Sequence, residues 1–207
     1  MSLSNALWTA AHVADGVVYD AMRKYREGRV GGENELTGDL FGVLEHALNR
    51  EIEGLTWRST YLAHGRGIAA EEKRVGADIL IHVSLDTPVL KYSKGVLVQA
   101  KRYDPGHNMS TAAHKKLKGQ CDDMLRHSSH SWVFNYSRLG MRCAPAVKIS
   151  GSSTKDLHRA CDWTSYRFFL ELFRCPVGDP GITSSLVADL PVLHVLKLAA
   201  EGDIHEE

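Results

Sequence analysis

Two short apolar runs with polar ends constrain this chain most: GADILIHV from Gly76, and GVLVQAKRYD from Gly95. Both have the length and the Val/Ile/Leu content of buried strands. They flank a polar loop expected from Leu85 to Lys94. The first run carries one acid near its start, Asp78; the second ends in Gln99-Ala100-Lys101. Residues two apart on a strand point to the same side of a sheet, so Gln99 and Lys101 share a face. If the two runs pair, a carboxylate, a carboxamide and an ammonium meet at one sheet end. Such a trio suits a site for a divalent cation and an activated water that cuts phosphodiesters.

The rest of the chain supplies the frame. Ser4 to Arg26 has apolar residues at helical spacing, with Ser4 or Asn5 as cap, and Glu27 to Asn34 breaks it with three glycines. A second helix is expected from about Glu35 to Arg50, with its apolar stripe on Leu36, Leu40, Val43, Leu44, Ala47 and Leu48. Leu55–Leu62 reads as a strand and Ala63–Val75 as a charged, glycine-rich loop. After the two central strands, Thr111–His127 is a helix, Ser131–Tyr136 a strand and Pro145–Ile149 a short returning strand. Helices follow at Thr154–Cys161 and Trp163–Phe173, and periodicity leaves Val192–Ala200 open between strand and helix. The order α-α-β-β-β-α-β-β-α-α-(α/β) describes an α/β fold with a mixed central sheet flanked by helices. With 207 residues, 43% of them apolar, the chain is long enough to bury a core without staples. No domain linker or repeat is legible. One domain over 1–207 is expected, with its core at about 35–150 and helical elaborations at both ends.

Net charge is zero, which excludes a global affinity for polyanions, but the charge is uneven. Between Val89 and Gly119 stand seven Lys/Arg and one acid, Asp104. A local basic face of this kind suits a phosphate backbone, whose counterions it displaces. The four cysteines form no C-x-x-C pair, and the N-terminus MSLSNALW has no basic-then-apolar leader. Reduced thiols and a cytoplasmic location are expected. No apolar run approaches the roughly 18 residues of a membrane span.

Magnesium takes oxygen ligands and retains waters, so one or two carboxylates suffice to hold it. Asp78 supplies the first, with the Gln99 side-chain carbonyl and the Ala100 backbone carbonyl as neutral oxygens. Lys101 can position or deprotonate water and stabilise the crowded phosphorus. For a second acid, Glu35 at the start of the second helix leads, with Glu45, Glu71 and Glu72 behind it.

Glu35 on an early helix, Gly76-Ala77-Asp78 opening a strand and Gln99-Ala100-Lys101 ending the next: in this order the residues resemble the PD-(D/E)XK nuclease superfamily over roughly Glu35–Tyr136. The resemblance implies the restriction-endonuclease-like fold of the superfamily, which includes Holliday-junction resolvases and Mrr-type enzymes, and Mg2+- or Mn2+-dependent cutting of DNA. Two positions depart from the usual pattern. Ala77 stands where proline is common, and Gln99 replaces an acid, a Q-x-K form similar to that of Mrr-like and phage-defence nucleases. The resemblance further implies metal binding by Asp78, Gln99, Ala100 and Glu35, and catalysis by Asp78, Gln99, Lys101 and Glu35. It places Gln120 toward the site, with Lys115, Lys116, Lys118 and Arg102 on nucleic acid. The segment SWVFNYSRLGMRCAPAVKIS and the aromatic helix after it look like nuclease effectors of bacterial antiviral systems. Those commonly work with an ATPase or sensor. This chain has no G-x-x-x-x-G-K-[ST] loop, so such a module would be a separate partner. A homodimer, each copy cutting one strand, is a further expectation of the resemblance. A nuclease-fold subunit that binds nucleic acid or a partner without cutting is the alternative.

Overall fold

The computed structural model describes residues 2–64, 75–183, 185 and 190–204. Helix α1 (Leu3–Arg26) is capped by Ser2, whose hydroxyl accepts from Asn5 N, and it buries one face from Ala6 to Tyr25. Helix α2 spans Glu33–Ala47, two residues earlier at its start than the apolar stripe suggests. Then come β1 (Glu51–Ile52), β2 (Leu55–Ala63), β3 (Ile79–Asp86) and β4 (Lys91–Arg102). Helix α3 (Thr111–His127) begins at Ser110, whose hydroxyl accepts from Ala113 N. After it come β5 (Trp132–Ser137), β6 (Gly140–Pro145), the short helices α4 (Ala146–Gly151) and α5 (Leu157–Ala160), and β7 (Trp163–Thr164). Helix α6 (Ser165–Phe173) and β8 (His194–Glu201) complete the chain.

The eight strands form one mixed sheet in the order β1-β2-β8-β3-β4-β5-β6-β7. Pairing is parallel between β8 and β3 and between β4 and β5, and antiparallel elsewhere. Side chains alternate between two cores. Ile79, Ile81, Val83, Val96, Val98, Trp132 and Phe134 face α1, α2 and α6. Leu80, Leu97 and Val133 face α3, α4 and α5 through Leu117, Cys121, Met124, Ile149 and Leu157. This is the expected mixed α/β sheet flanked by helices.

Three elements differ from the sequence reading. The loop expected over Leu85–Lys94 shrinks to four residues, because the ladder continues through Ser84↔Ser93, Leu85↔Tyr92 and Asp86↔Lys91. Thr87 closes that turn, donating from its backbone N to Leu90 O and accepting Leu90 N on its hydroxyl. The expected strand Pro145–Ile149 is helix α4. Its buried residues, Ala146 and Ile149, are three apart, while Val147 between them is exposed. The strand that pairs with β5 is instead the preceding segment, Gly140–Pro145. The last segment is a strand and not a peripheral element. It inserts between β2 and β3, so the sheet extends beyond the 35–150 core into residues after 190.

Candidate functional site

Register brings the polar residues of the two central strands together. Ile79 pairs with Val98, and Asp78 N donates to Val98 O at 3.0 Å, which sets Asp78 across from Gln99. Parity then puts Asp78, Gln99 and Lys101 on the α3 side of the sheet, as for Leu80 and Leu97. The Asp78 carbonyl accepts Leu193 N and His194 N, so the inserted strand β8 pins the same residue from its other flank.

The side chains form one connected cluster. Gln99 is fully buried, and its Nε2 donates to Asp78 Oδ2 and to Ala100 O. Ala100 N also donates to Asp78 Oδ2, at 3.2 Å. Both neighbours of the Gln99 amide are acceptors, so its NH2 group faces them. Gln99 Oε1 is left buried with no hydrogen-bond partner among the described residues. Lys101 Nζ donates to Ala100 O at 2.7 Å and lies 4.0 Å from Asp78 Oδ2.

The second carboxylate at Lys101 belongs to Glu33, with Oε1 at 3.5 Å from Nζ. Burial is the largest influence on Glu33 and raises its carboxyl above the ordinary value, with the Asp78 charge adding to the rise; Lys101 and Arg102 pull it down. Glu33 is held in place through the core. Thr37 Oγ1 donates to Glu33 O at 3.0 Å, and the fully buried Tyr136 hydroxyl lies 3.1 Å from the same Oγ1. With the threonine proton committed to Glu33 O, the tyrosine is the donor.

Glu35, expected as the second acid, is elsewhere. It is exposed, and its Oε2 accepts Gly31 N at 3.2 Å and Gly32 N at 3.3 Å. Helix α2 starts after Gly32, so Glu35 is its third residue and caps donors that would otherwise be orphaned. The signal was present in the sequence. Glycine can serve as N-cap but brings no side chain, and a Glu three residues on completes half of a capping box. Glu45 lies two turns or more further along α2 and is not among the residues lining the site. Glu71 and Glu72 lie outside the described residues.

The cluster opens into a groove of about 800 Å3 between the start of α2 and the face of α3. Ala112, Lys115, Lys116, Gly119, Gln120 and Asp123 line it as one helical stripe. The expected Lys115, Lys116 and Gln120 are therefore at the groove, and Gln120 Oε1 is buried without a partner among the described residues. Two expected contacts are not in its lining. Lys118 turns to donate to Ser152 O, and Arg102 sits over the Tyr25 ring, 5.4 Å from its centroid. Gly76 fixes the groove's depth. Its φ is +78°, and a Cβ there would meet Gln120 O at 2.3 Å. Only glycine lets α3 lie this close to the start of β3.

The donor set is all oxygen: the Asp78 and Glu33 carboxylates, the Gln99 amide and the Ala100 carbonyl. No group of three or more His, Cys, Asp or Glu side chains converges among the described residues. A soft metal is thus poorly served, while a hard cation that keeps its own waters fits two acids and neutral oxygens. The buried, unpartnered Gln99 Oε1 is a ready ligand for one. No protein-family model, curated protein or solved structure matches the chain. No helix of the described residues is long and apolar enough to cross a membrane.

Proposed function

We propose that this chain is a metal-dependent endonuclease that hydrolyses DNA phosphodiester bonds. One observation carries the reading: a lysine ammonium between two carboxylates, Glu33 and Asp78, beside a buried amide oxygen with no partner among the described residues. Asp78, Gln99 Oε1 and the Ala100 carbonyl would hold Mg2+ or Mn2+, with Glu33 as the second acid. When bound, such an ion polarises a phosphate oxygen and lowers the pKa of an attacking water.

The remaining work falls to the protein's own groups. Lys115 and Lys116 on α3 seat the phosphate backbone electrostatically, and Gly119, where a Cβ would meet nothing within 4 Å, leaves room for it. Lys101 Nζ stands where it can donate to a non-bridging oxygen as charge accumulates. Glu33, with its carboxyl raised by burial, can take a proton from water at Lys101 and return it to the leaving oxygen. By its resemblance to antiviral effectors, the same proposal includes action with a separate ATPase or sensor chain.

A second reading has its own observation. The Gln99 NH2 group donates to Asp78, an arrangement that satisfies the carboxylate with no cation present. A groove stabilised this way suits a subunit that binds nucleic acid without cutting it.

Cleavage of plasmid DNA in Mg2+ or Mn2+ tests the proposal. Lys101→Met and Asp78→Asn should each lower the rate by about a hundredfold or more while the circular dichroism spectrum is kept. Undiminished cutting by both variants refutes the assignment. If calorimetry finds no Mg2+ or Mn2+ binding to the wild type while DNA retention remains salt-sensitive, the second reading replaces the first.

A further inference from the structure

The strand that ends in the site begins with a lysine that the site does not use. Lys94 on β4 is only 2% exposed, and its Nζ has no hydrogen-bond partner among the described residues. Three contacts fix where it goes. Its Nζ lies over the Tyr92 ring, 4.5 Å from the centroid. The Tyr92 hydroxyl donates to Phe173 O, at the end of α6. Its stem packs on Gly178, where an added Cβ would come within 2.7 Å of Lys94 Cδ. The lysine is therefore enclosed by the turn from Phe173 to Gly178, which is tied to β4 by the Gly95–Asp179 backbone pair. Cys175 belongs to that turn. It is exposed, has a φ of +92°, and lies near enough for its charge to act on both Lys94 and Tyr92.

A buried ammonium without a hydrogen-bonding partner is costly, and a methionine would fill the same space without that cost. Burial pushes the Lys94 amine down to about 8, which leaves a real fraction of it neutral and nucleophilic near neutral pH. The other three cysteines do not compete. Cys121, Cys143 and Cys161 are buried, with Cys121 and Cys161 pushed up to about 12.

We infer that Lys94 and Cys175 form an oxidation-dependent cross-link between β4 and the turn after α6. A hydroperoxide first oxidises the Cys175 thiol to a sulfenic acid, consuming one peroxide and releasing one water (from hydrogen peroxide) or one alcohol. The neutral Lys94 amine then attacks that sulfur. The S–O bond breaks, an S–N bond forms, and hydroxide leaves with the amine proton as water. Two equivalents of an external thiol reverse the link, giving back the free thiol and amine and one disulfide.

Mass spectrometry of the full chain tests this. After treatment with hydrogen peroxide near pH 8 and digestion without reductant, the peptides bearing Lys94 and Cys175 should appear joined and lighter by two hydrogens. Dithiothreitol should separate them, and Cys175→Ser should lose the product. In Lys94→Met the link should vanish, while dimedone captures the sulfenic acid that now has no amine to meet. The inference fails if wild-type Cys175 is oxidised further or forms disulfides without any Lys94-linked peptide, or if it does not react at all. Because the wild-type product decides the matter, misfolding of the lysine variant would not protect the inference.

Discussion

Replacing Glu33 by glutamine separates stability from activity and distinguishes the two glutamates of the α2 start. At 3.5 Å, with an effective dielectric near 20, the attraction of Glu33 to Lys101 is about 5 kcal/mol before desolvation. Burial opposes it and is the larger influence, since the Glu33 carboxyl is raised rather than lowered. The folded state therefore binds the Glu33 proton more tightly than the unfolded chain does. Stability due to this group is fully present below the ordinary value of 4.5 and is lost as pH rises through the folded value. Glutamine keeps the shape and never ionises. Relative to wild type, Glu33→Gln should hold its own in urea at pH 4 and gain at pH 7.5. Over the same comparison, metal-dependent cleavage should fall by about a hundredfold to ten-thousandfold. Glu35→Ala should do the reverse, costing about 0.5–1 kcal/mol through its lost cap and leaving cleavage near wild type. Urea midpoints at the two pH values and plasmid nicking rates decide it. The reasoning is refuted if Glu33→Gln loses stability at pH 7.5 relative to pH 4, or if Glu35→Ala abolishes cutting while Glu33→Gln retains it.

Two further outcomes follow from the packing around the site. Gly76→Ala would place a Cβ 2.3 Å from Gln120 O at a positive φ, so α3 must shift. A loss of at least 1–3 kcal/mol in urea unfolding, with weakened cleavage, is expected, and a change within about 0.5 kcal/mol would contradict the close approach. His194 is 7% exposed, its Nδ1 is 2.8 Å from the Tyr61 hydroxyl, and burial pushes it down to about 4 from 6.5. Its contribution is complete above 6.5 and is lost as pH falls toward 4, at most about 3 kcal/mol. His194→Gln should flatten stability across that window, leaving a slope from His82 and His158, which are also lowered. An unchanged slope would show that His194 does not titrate in that window.

Local periodicity determined much of what was legible in the sequence. Alternation and apolar content marked β3 and β4, and helical spacing with a serine cap marked α1 and α3. The two-residue spacing of Gln99 and Lys101 fixed their common face, because a strand allows no other arrangement. The position of Asp78 opposite Gln99 then followed from pairing the two runs. The lysines of α3 and Gln120 were readable in the same way, as a stripe on one helix.

Tertiary structure alone decided the rest. Whether α2 begins at Glu33 or Glu35 shifts which carboxylate points at Lys101, and the apolar stripe starting at Leu36 is the same in either case. The start is set by Gly32 as cap and by the Tyr136–Thr37 contact, which joins residues 99 positions apart. The place of β8 between β2 and β3 depends on pairing partners over a hundred residues distant, which no short window contains. Lys118 and Lys115 are equivalent in sequence, yet one donates to Ser152 O and the other lines the groove. Lys94 was one cation in a basic stretch, and only the turn after α6 folding back on β4 buries it beside Cys175. Sequence sets which face a residue occupies through local backbone period; which neighbour it meets there is settled by contacts between distant segments.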